Sequence, residues 1–351
     1  MSDRRHGRFA TEATRQATYR AVMADELGPI THYTLRDVPR RPLAAGEVRV
    51  AVQAAGISYV DVLTAAGDYQ VKPPVPFVPG SEAAGIVIET APGVTDVATG
   101  DPVICGGWHG QFAEECVLPR DAVTLIPAGI DLIEAAIFPA SFSTAWHALV
   151  DRAQVQLGET VLVLGAGGAT GYAAVQVAKC LGAYVIASAS TPEKRAVAAE
   201  GGADATVDAR AADWRNAVTA ANGGRAVDVV FDPVGGAATD LAFRSLAWRG
   251  RHLVIGFPGG IASLRTNLPL LKGASLIGVN VREFYINEPD KAAANMTQIL
   301  KLASEGRLRP AIARTYPIED YALAMADAAK GESAGRIVLR MNGHRAAGEA
   351  G

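Results

Sequence analysis

Residues Val161–Gly182 read VLVLGAGGATGYAAVQVAKCLG, a strand, a glycine turn and a helix in succession. The stretch opens on four consecutive apolar residues, Val161–Leu164, as a strand buried on both faces requires. Gly165, Gly168 and Gly171 follow at three-residue intervals, with Gly167 between them. Ala174, Val177, Ala178 and Leu181 then recur at i, i+3, i+4 and i+7, one face of a helix. Strand, glycine turn and helix in this order bring bare backbone up to a pyrophosphate. Gly165 permits the tight turn, Gly168 removes a Cβ where backbone meets phosphate, and Gly171 lets the helix pack closely. The first helical residues, Ala169 and Thr170, then turn their amides to the phosphate charge. The run Thr160–Ala178 carries no charge over 19 residues, about a membrane span. Four glycines in its middle make it a strand and turn instead, and no membrane segment is expected.

On either side of this stretch strands and helices alternate. VLVL (161–164), YVIAS (184–188), ATVD (205–208), VDVVFD (227–232), HLVIG (252–256) and SLIGV (275–279) read as six strands with crossovers, a doubly wound parallel sheet. A dinucleotide carrying a free ribose 2′-hydroxyl is usually held by an acid at the tip of the second strand. Here that tip is Ala187-Ser188-Ala189-Ser190, with two hydroxyls and no carboxylate. Glu193 follows within Thr191-Pro192-Glu193-Lys194, an N-cap, a proline at N1 and an acid in the first turn of a helix. A 2′-phosphate is not repelled there, and Lys194 and Arg195 offer it positive charge, so NADPH is expected over NADH.

Upstream the rhythm is that of short strands. Glu47–Ile57, Gly80–Thr90 and Asp101–Pro119 are β-rich and punctuated by turns, which predicts a small barrel-like β domain. Ala140–Leu149 reads as a helix, Asp290–Gly306 as another with Asp290 as its N-cap, and Tyr321–Lys330 as a third before a last strand, Arg336–Arg340. The 351 residues accommodate about two domains, with 49% apolar and 20% charged residues. A net charge of −3 provides no basic field, so nucleic acid is not an expected partner. Three cysteines rule out a disulfide framework, and the polar start lacks the apolar run of a secretory signal, which predicts a cytoplasmic protein.

Several segments in this order carry a resemblance: AAGISYVDVL (54–63), YQVKPPVPFVPGSEAAG (69–85), AWHAL (145–149), the glycine turn and SAGRIVLR (333–340). Together they resemble the medium-chain dehydrogenase/reductase superfamily, and within it the zinc-independent, zeta-crystallin-like quinone oxidoreductases. The resemblance implies an α/β chain with a GroES-like β-rich catalytic domain plus a Rossmann domain, the active site between them, often in a homodimer. The expected boundaries are a flexible tail at 1–18, the GroES-like domain at 19–142 and 290–341, the Rossmann domain at 143–289, and a second tail at 342–351. It also implies that Gly256 and Phe257, after the fifth strand, lie near the nicotinamide, and that Asn280, Arg282 and Phe284 line the substrate pocket.

Zinc-dependent members of the superfamily carry a Cys, a Gly-His-Glu and a four-Cys lobe. This chain has Ser58, Gly80-Ser81-Glu82 and no such lobe, so its hydroxyls replace the thiolate and imidazole that tetrahedral zinc prefers. Cys105, His109 and Cys116, at C-x3-H-x6-C, fit no usual zinc spacing. No metal is expected. Without a Lewis acid, a quinone or conjugated enone is an easier hydride acceptor than an alcohol is a donor. The resemblance places Ser58, Asp61 and Thr144 around the nicotinamide, with Thr144 binding its carboxamide. Asp61 also has a structural reading, bonding amides of its own turn. Where many relatives have Tyr, this chain has Leu63, so the proton comes from Tyr59, Tyr69 or solvent. Where the family often has Tyr near the coenzyme phosphate, it has Ala209, beside Arg210. The expectation is an NADPH-dependent quinone reductase, with reduction of a conjugated C=C bond on the same scaffold or non-catalytic NADPH binding as alternatives.

Overall fold

The computed structural model describes residues 18–70 and 72–341. Both expected tails lie outside these residues, apart from Thr18, which opens the first strand. The strands are β1 (Thr18–Met23), β2 (Thr34–Pro39), β3 (Glu47–Ile57), β4 (Glu82–Thr90), β5 (Pro102–Gly106), β6 (Glu115–Pro119) and β7 (Val123–Leu125), then β8 (Thr160–Leu164), β9 (Tyr184–Ala189), β10 (Ala205–Asp208), β11 (Val227–Asp232), β12 (Leu246–Val254) and β13 (Ser275–Gly278), and finally β14 (Ile312–Pro317) and β15 (Arg336–Arg340). Among the described residues, 18–137 and 312–341 form one compact unit and 138–311 another.

In the first unit, β14-β15-β3-β4-β5-β7 run side by side, β6 joins β3, and β1 and β2 form a separate antiparallel pair. β3 is buried along almost its whole length, which is why EVRVAVQAAGI is nearly continuous in apolar residues rather than alternating. Val48, Val50, Val87, Val103, Phe112 and Leu339 pack into one core. All the β-rich runs expected from sequence contain strands; β1, β2, β7 and β14 are additions.

The second unit is a six-strand parallel sheet in the order β10-β9-β8-β11-β12-β13. The six strands expected from sequence are all present, with ends shifted by a few residues; the largest shift is the start of β12 at Leu246. The order reverses between β8 and β11, and the C-terminal edge at such a switch point is where α/β sheets take ligands. All five residues of β8 are buried, so the glycine turn leaves the sheet at its centre.

Three expectations shift. The helix after residue 288 spans Pro289–Ser304, with Glu288 as N-cap, Pro289 at N1 and Asp290 in the first turn rather than at the cap. It buries Ala292, Met296, Ile299 and Leu300 within the second unit, against the helix Phe138–Trp146. The chain therefore returns to the first unit at β14, not at residue 290. The helix expected over 140–149 begins at Phe138 and winds into a wider turn over His147–Arg152. No helix of the described residues is long and apolar enough to cross a membrane.

Candidate active site

The glycine turn is built as its spacing requires. Gly165 has φ +57°, the left-handed region, where a Cβ would also sit 3.0 Å from Val234 Cγ2. The Gly168 amide donates to Gly165 O at 2.9 Å, closing the turn. Gly168 is the N-cap of the helix Ala169–Cys180, with no side-chain cap. The amides of Ala169, Thr170 and Gly171 belong to its first turn, where no intrahelical acceptor exists. A Cβ on Gly171 would collide with Gly165 O, so the helix can lie this close to the turn only without one. A Cβ on Gly167 would lie 2.5 Å from Lys194 Cβ, which places the start of the next helix, Pro192–Glu200, directly against the turn. That helix is capped as expected: Thr191 Oγ1 accepts from the Lys194 amide at 3.2 Å, with Pro192 at N1.

The tip of β9 differs in detail. Ser188 is buried, and its Oγ accepts from Trp214 Nε1 at 2.9 Å, so its hydroxyl serves the packing beneath the tip. Ser190 follows the strand and is partly exposed. Arg195 donates to Ala189 O and pairs with Asp208 Oδ2, both at 3.2 Å. Asp208 ends β10 opposite Ala189, so the carboxylate missing from the tip of β9 stands one strand over, with Arg195 on it. Ala209 and Arg210 follow, and the Arg210 amide donates to Asp208 Oδ1. Gly256 and Phe257 lie in the loop after β12, on the same C-terminal edge, with Phe257 60% exposed.

Thr144 lies within the helix Phe138–Trp146, partly exposed, and donates its hydroxyl proton to Ala140 O at 2.6 Å. Its remaining capacity is as an acceptor, which suits a carboxamide NH2. Asn280 Oδ1 caps its own helix by accepting from the Glu283 amide, and Arg282 pairs with Glu283. Phe284 is buried and stacked on His147, with ring centroids 3.9 Å apart, so its ring is committed to the core rather than to a pocket wall.

In the first unit, Ser58 and Asp61 form a reciprocal cap on the helix Tyr59–Ala66. Ser58 N and Oγ donate to Asp61 Oδ2 at 2.7 and 2.6 Å, and Ser58 Oγ accepts from the Asp61 amide at 3.1 Å. Both residues are buried. Burial raises the Asp61 pKa, against the lowering effect of hydrogen bonds from Ser58 and Ser81 and the charge of Arg336. Burial holds Arg336 down to about 10, still cationic at neutral pH, and it forms an ion pair with Glu82. These buried groups are bonded to one another, Ser58 to Asp61 and Arg336 to Glu82. Leu63 follows on the same helix, partly buried, and Tyr59 at its start is half-exposed.

These residues do not fit a zinc site. Ser58 and Ser81 present neutral hydroxyls, and Glu82 is paired with Arg336. Cys105 and Cys116 are both buried, and hydrogen bonding to Cys116, then burial, pushes the Cys105 thiol up, away from the thiolate a metal needs. His109 sits edge-on to Phe77 at 6.2 Å. Among the described residues no group of three or more His, Cys, Asp or Glu is placed to hold a metal.

Known proteins agree with this layout. Residues 44–128 match the family model for an alcohol dehydrogenase GroES-like domain, and 169–298 that for a zinc-binding dehydrogenase. The chain is 36% identical over 326 residues to quinone oxidoreductase-like protein 2 of Mus musculus, covering 92% of each. It superposes on a "probable oxidoreductase" from Mycobacterium abscessus with a TM-score of 0.84 at 36% identity, covering 92% of this chain and 99% of the other. A mycobacterial protein solved in complex with NADPH gives 0.82 at 27% identity, with the same coverage. These similarities support a nicotinamide coenzyme and oxidoreductase chemistry on a small molecule. It belongs to the medium-chain dehydrogenase/reductase superfamily, in its zinc-independent, quinone oxidoreductase-like family.

Proposed function

We propose that this chain is a zinc-independent, NADPH-dependent reductase that passes a hydride to a quinone or a similarly electron-poor acceptor. The observation that carries the reading is the open glycine turn at the switch point, with Lys194 packed against Gly167. The first-turn amides of Ala169, Thr170 and Gly171 hold the pyrophosphate. Lys194, with Ser190, receives the 2′-phosphate, and Arg195 cancels the Asp208 charge that would oppose it. Thr144 accepts from the carboxamide, and Gly256 and Phe257 border the nicotinamide. NADPH, when bound, supplies the hydride to a delocalised acceptor that needs no metal to polarise it. Ser58 and Asp61 are bonded to each other, so they fix the start of their helix, and the reduced acceptor takes its proton from water.

A homodimer belongs to the same reading. β13 is the last strand of its sheet, with Leu276 half-exposed. Trp248 is exposed and lies against Gly273, and Leu270 and Leu271, just before that glycine in the chain, are exposed as well. An open strand edge beside apolar side chains favours pairing with a second copy.

The test is a panel of quinones, enones and alcohols offered with NADPH and with NADH. Consumption of coenzyme with quinones, and hydroquinone as product, supports the proposal. Saturated carbonyl products from enones alone would shift it to a C=C reductase. Tight NADPH binding with no acceptor consumed would make the chain a binding protein.

A further inference from the structure

At the end of β11, next to the glycine turn, lies a carboxylate that no role described so far uses. Asp232 is 2% exposed, and all its acceptor capacity is occupied. Oδ1 accepts from the amides of Val234 and Gly235 at 2.9 and 2.8 Å. Oδ2 accepts from Thr239 Oγ1 at 2.6 Å and meets His252 Nε2 at 3.1 Å. His252 is fully buried on β12, the neighbouring strand, with its ring tilted on Phe243 and its Nδ1 without a partner. An ionised carboxylate only accepts, so Nε2 carries the proton of this bond. Burial opposes ionisation of Asp232, but the bonds from His252, Gly235 and Thr239 outweigh it and hold the carboxyl below its usual pKa.

What the carboxylate holds is a double loop. Gly235 and Gly236 have φ +75° and +60°, and their amide side packs on the loop after β12 so tightly that a Cβ on Gly235 would lie 2.8 Å from Phe257 Cα. The Ile255 amide donates to Asp232 O at 3.0 Å, Gly259 to Val234 O at 2.8 Å, and Gly236 to Gly260 O at 2.7 Å. The same turn rests its Val234 side chain against Gly165. One buried acid thus fixes the turn that abuts the glycine turn on one side and carries the Gly256–Phe257 loop on the other.

We propose that Asp232, backed by His252 and Thr239, is a positioning residue for the nicotinamide half of the coenzyme. The inference rests on the coenzyme site proposed above. It acts through the double loop and touches no coenzyme itself. Relaxing the loop costs the nicotinamide its preorganised wall while leaving the pyrophosphate and 2′-phosphate contacts in place.

The test compares two ligands on the full-length chain: NADPH, and adenosine 2′,5′-bisphosphate, which lacks the nicotinamide half. In Asp232→Asn the expected result is NADPH binding weaker by about tenfold or more, with the bisphosphate changed by less than about twofold. Thr239→Val removes one bond and is the milder variant, expected to give a smaller split of the same sign; it decides the matter if Asp232→Asn does not fold. Equal losses for both ligands, or no loss for either in a folded variant, would overturn the positioning role while the coenzyme site stands. A wild-type chain that binds neither ligand would overturn the coenzyme site itself.

Discussion

Arg195, on the helix Pro192–Glu200, meets Asp208, the last residue of β10, at 3.2 Å, on the edge of the sheet where the adenosine ribose of a Rossmann coenzyme is read. A carboxylate there favours free ribose hydroxyls, and a cation favours a phosphate. The pair is partly exposed and close to neutral, so in the proposed site the balance falls to Lys194.

Lys194→Ala is therefore expected to lower the NADPH-over-NADH preference by about tenfold, the loss of one charge-assisted phosphate contact. Asp208→Asn is expected to raise that preference only a few-fold, since an exposed ion pair is worth under about 1 kcal/mol. Ratios of kcat/KM for the two coenzymes check both. An unchanged ratio in Lys194→Ala would remove that residue from the phosphate site.

Thr144→Val keeps the shape of the side chain and removes the acceptor. The hydroxyl proton already goes to Ala140 O within the helix, so the folded state depends little on it. The expected outcome is a fall in kcat/KM of about three- to tenfold with an unchanged melting temperature, and recovery in Thr144→Ser.

Much of this site was legible in the sequence because its signals are local. The run of buried β residues before Gly165 and the capped helix after Thr191 are each specified within a few residues of themselves. The pairing of β1 with β2 was not, because Thr18–Met23 finds Thr34–Pro39 across an intervening loop. Ser188 reads as a free hydroxyl until Trp214, 26 residues later, is seen to take it. Asp232 reads as the end of a strand; the signal that could have marked it is an acid closing a buried apolar run just before Pro-Val-Gly-Gly. The return of the chain to its first unit depends on helix packing around Met296 and Ile299, which periodicity alone does not assign to a partner.

The buried Arg336–Glu82 pair makes a stability prediction. Arg336→Met leaves the Glu82 carboxylate buried without its cation, and a loss of about 3–5 kcal/mol is expected in urea unfolding. A loss below about 1 kcal/mol would show that the pair is not carrying buried charge.

Asp61 predicts a pH dependence. Its pKa is raised in the folded chain, so the folded state holds the carboxyl proton more tightly than the unfolded one. This contribution is complete below the ordinary value of 3.8 and is lost as pH rises through the higher folded value. The unfolding midpoint of wild type is expected to fall over that interval, and Asp61→Asn to flatten the fall. Parallel curves for the two proteins would contradict the assignment.

If β13 pairs with its counterpart, Leu276→Lys sets two charges into that contact. Light scattering is expected to report a dimer for wild type and a monomer for the variant, with the coenzyme still bound.

Metal-independent hydride transfer from NADPH can be checked in a single assay. The chain is dialysed against a strong chelator and mixed with NADPH or NADH and a simple para-quinone, and the quinone-dependent loss of nicotinamide absorbance is followed. Turnover is expected to be undiminished after chelation, with kcat/KM for NADPH above that for NADH by about tenfold or more. Turnover that disappears with the metal and returns with zinc, or NADPH that binds and is never oxidised, would contradict this expectation.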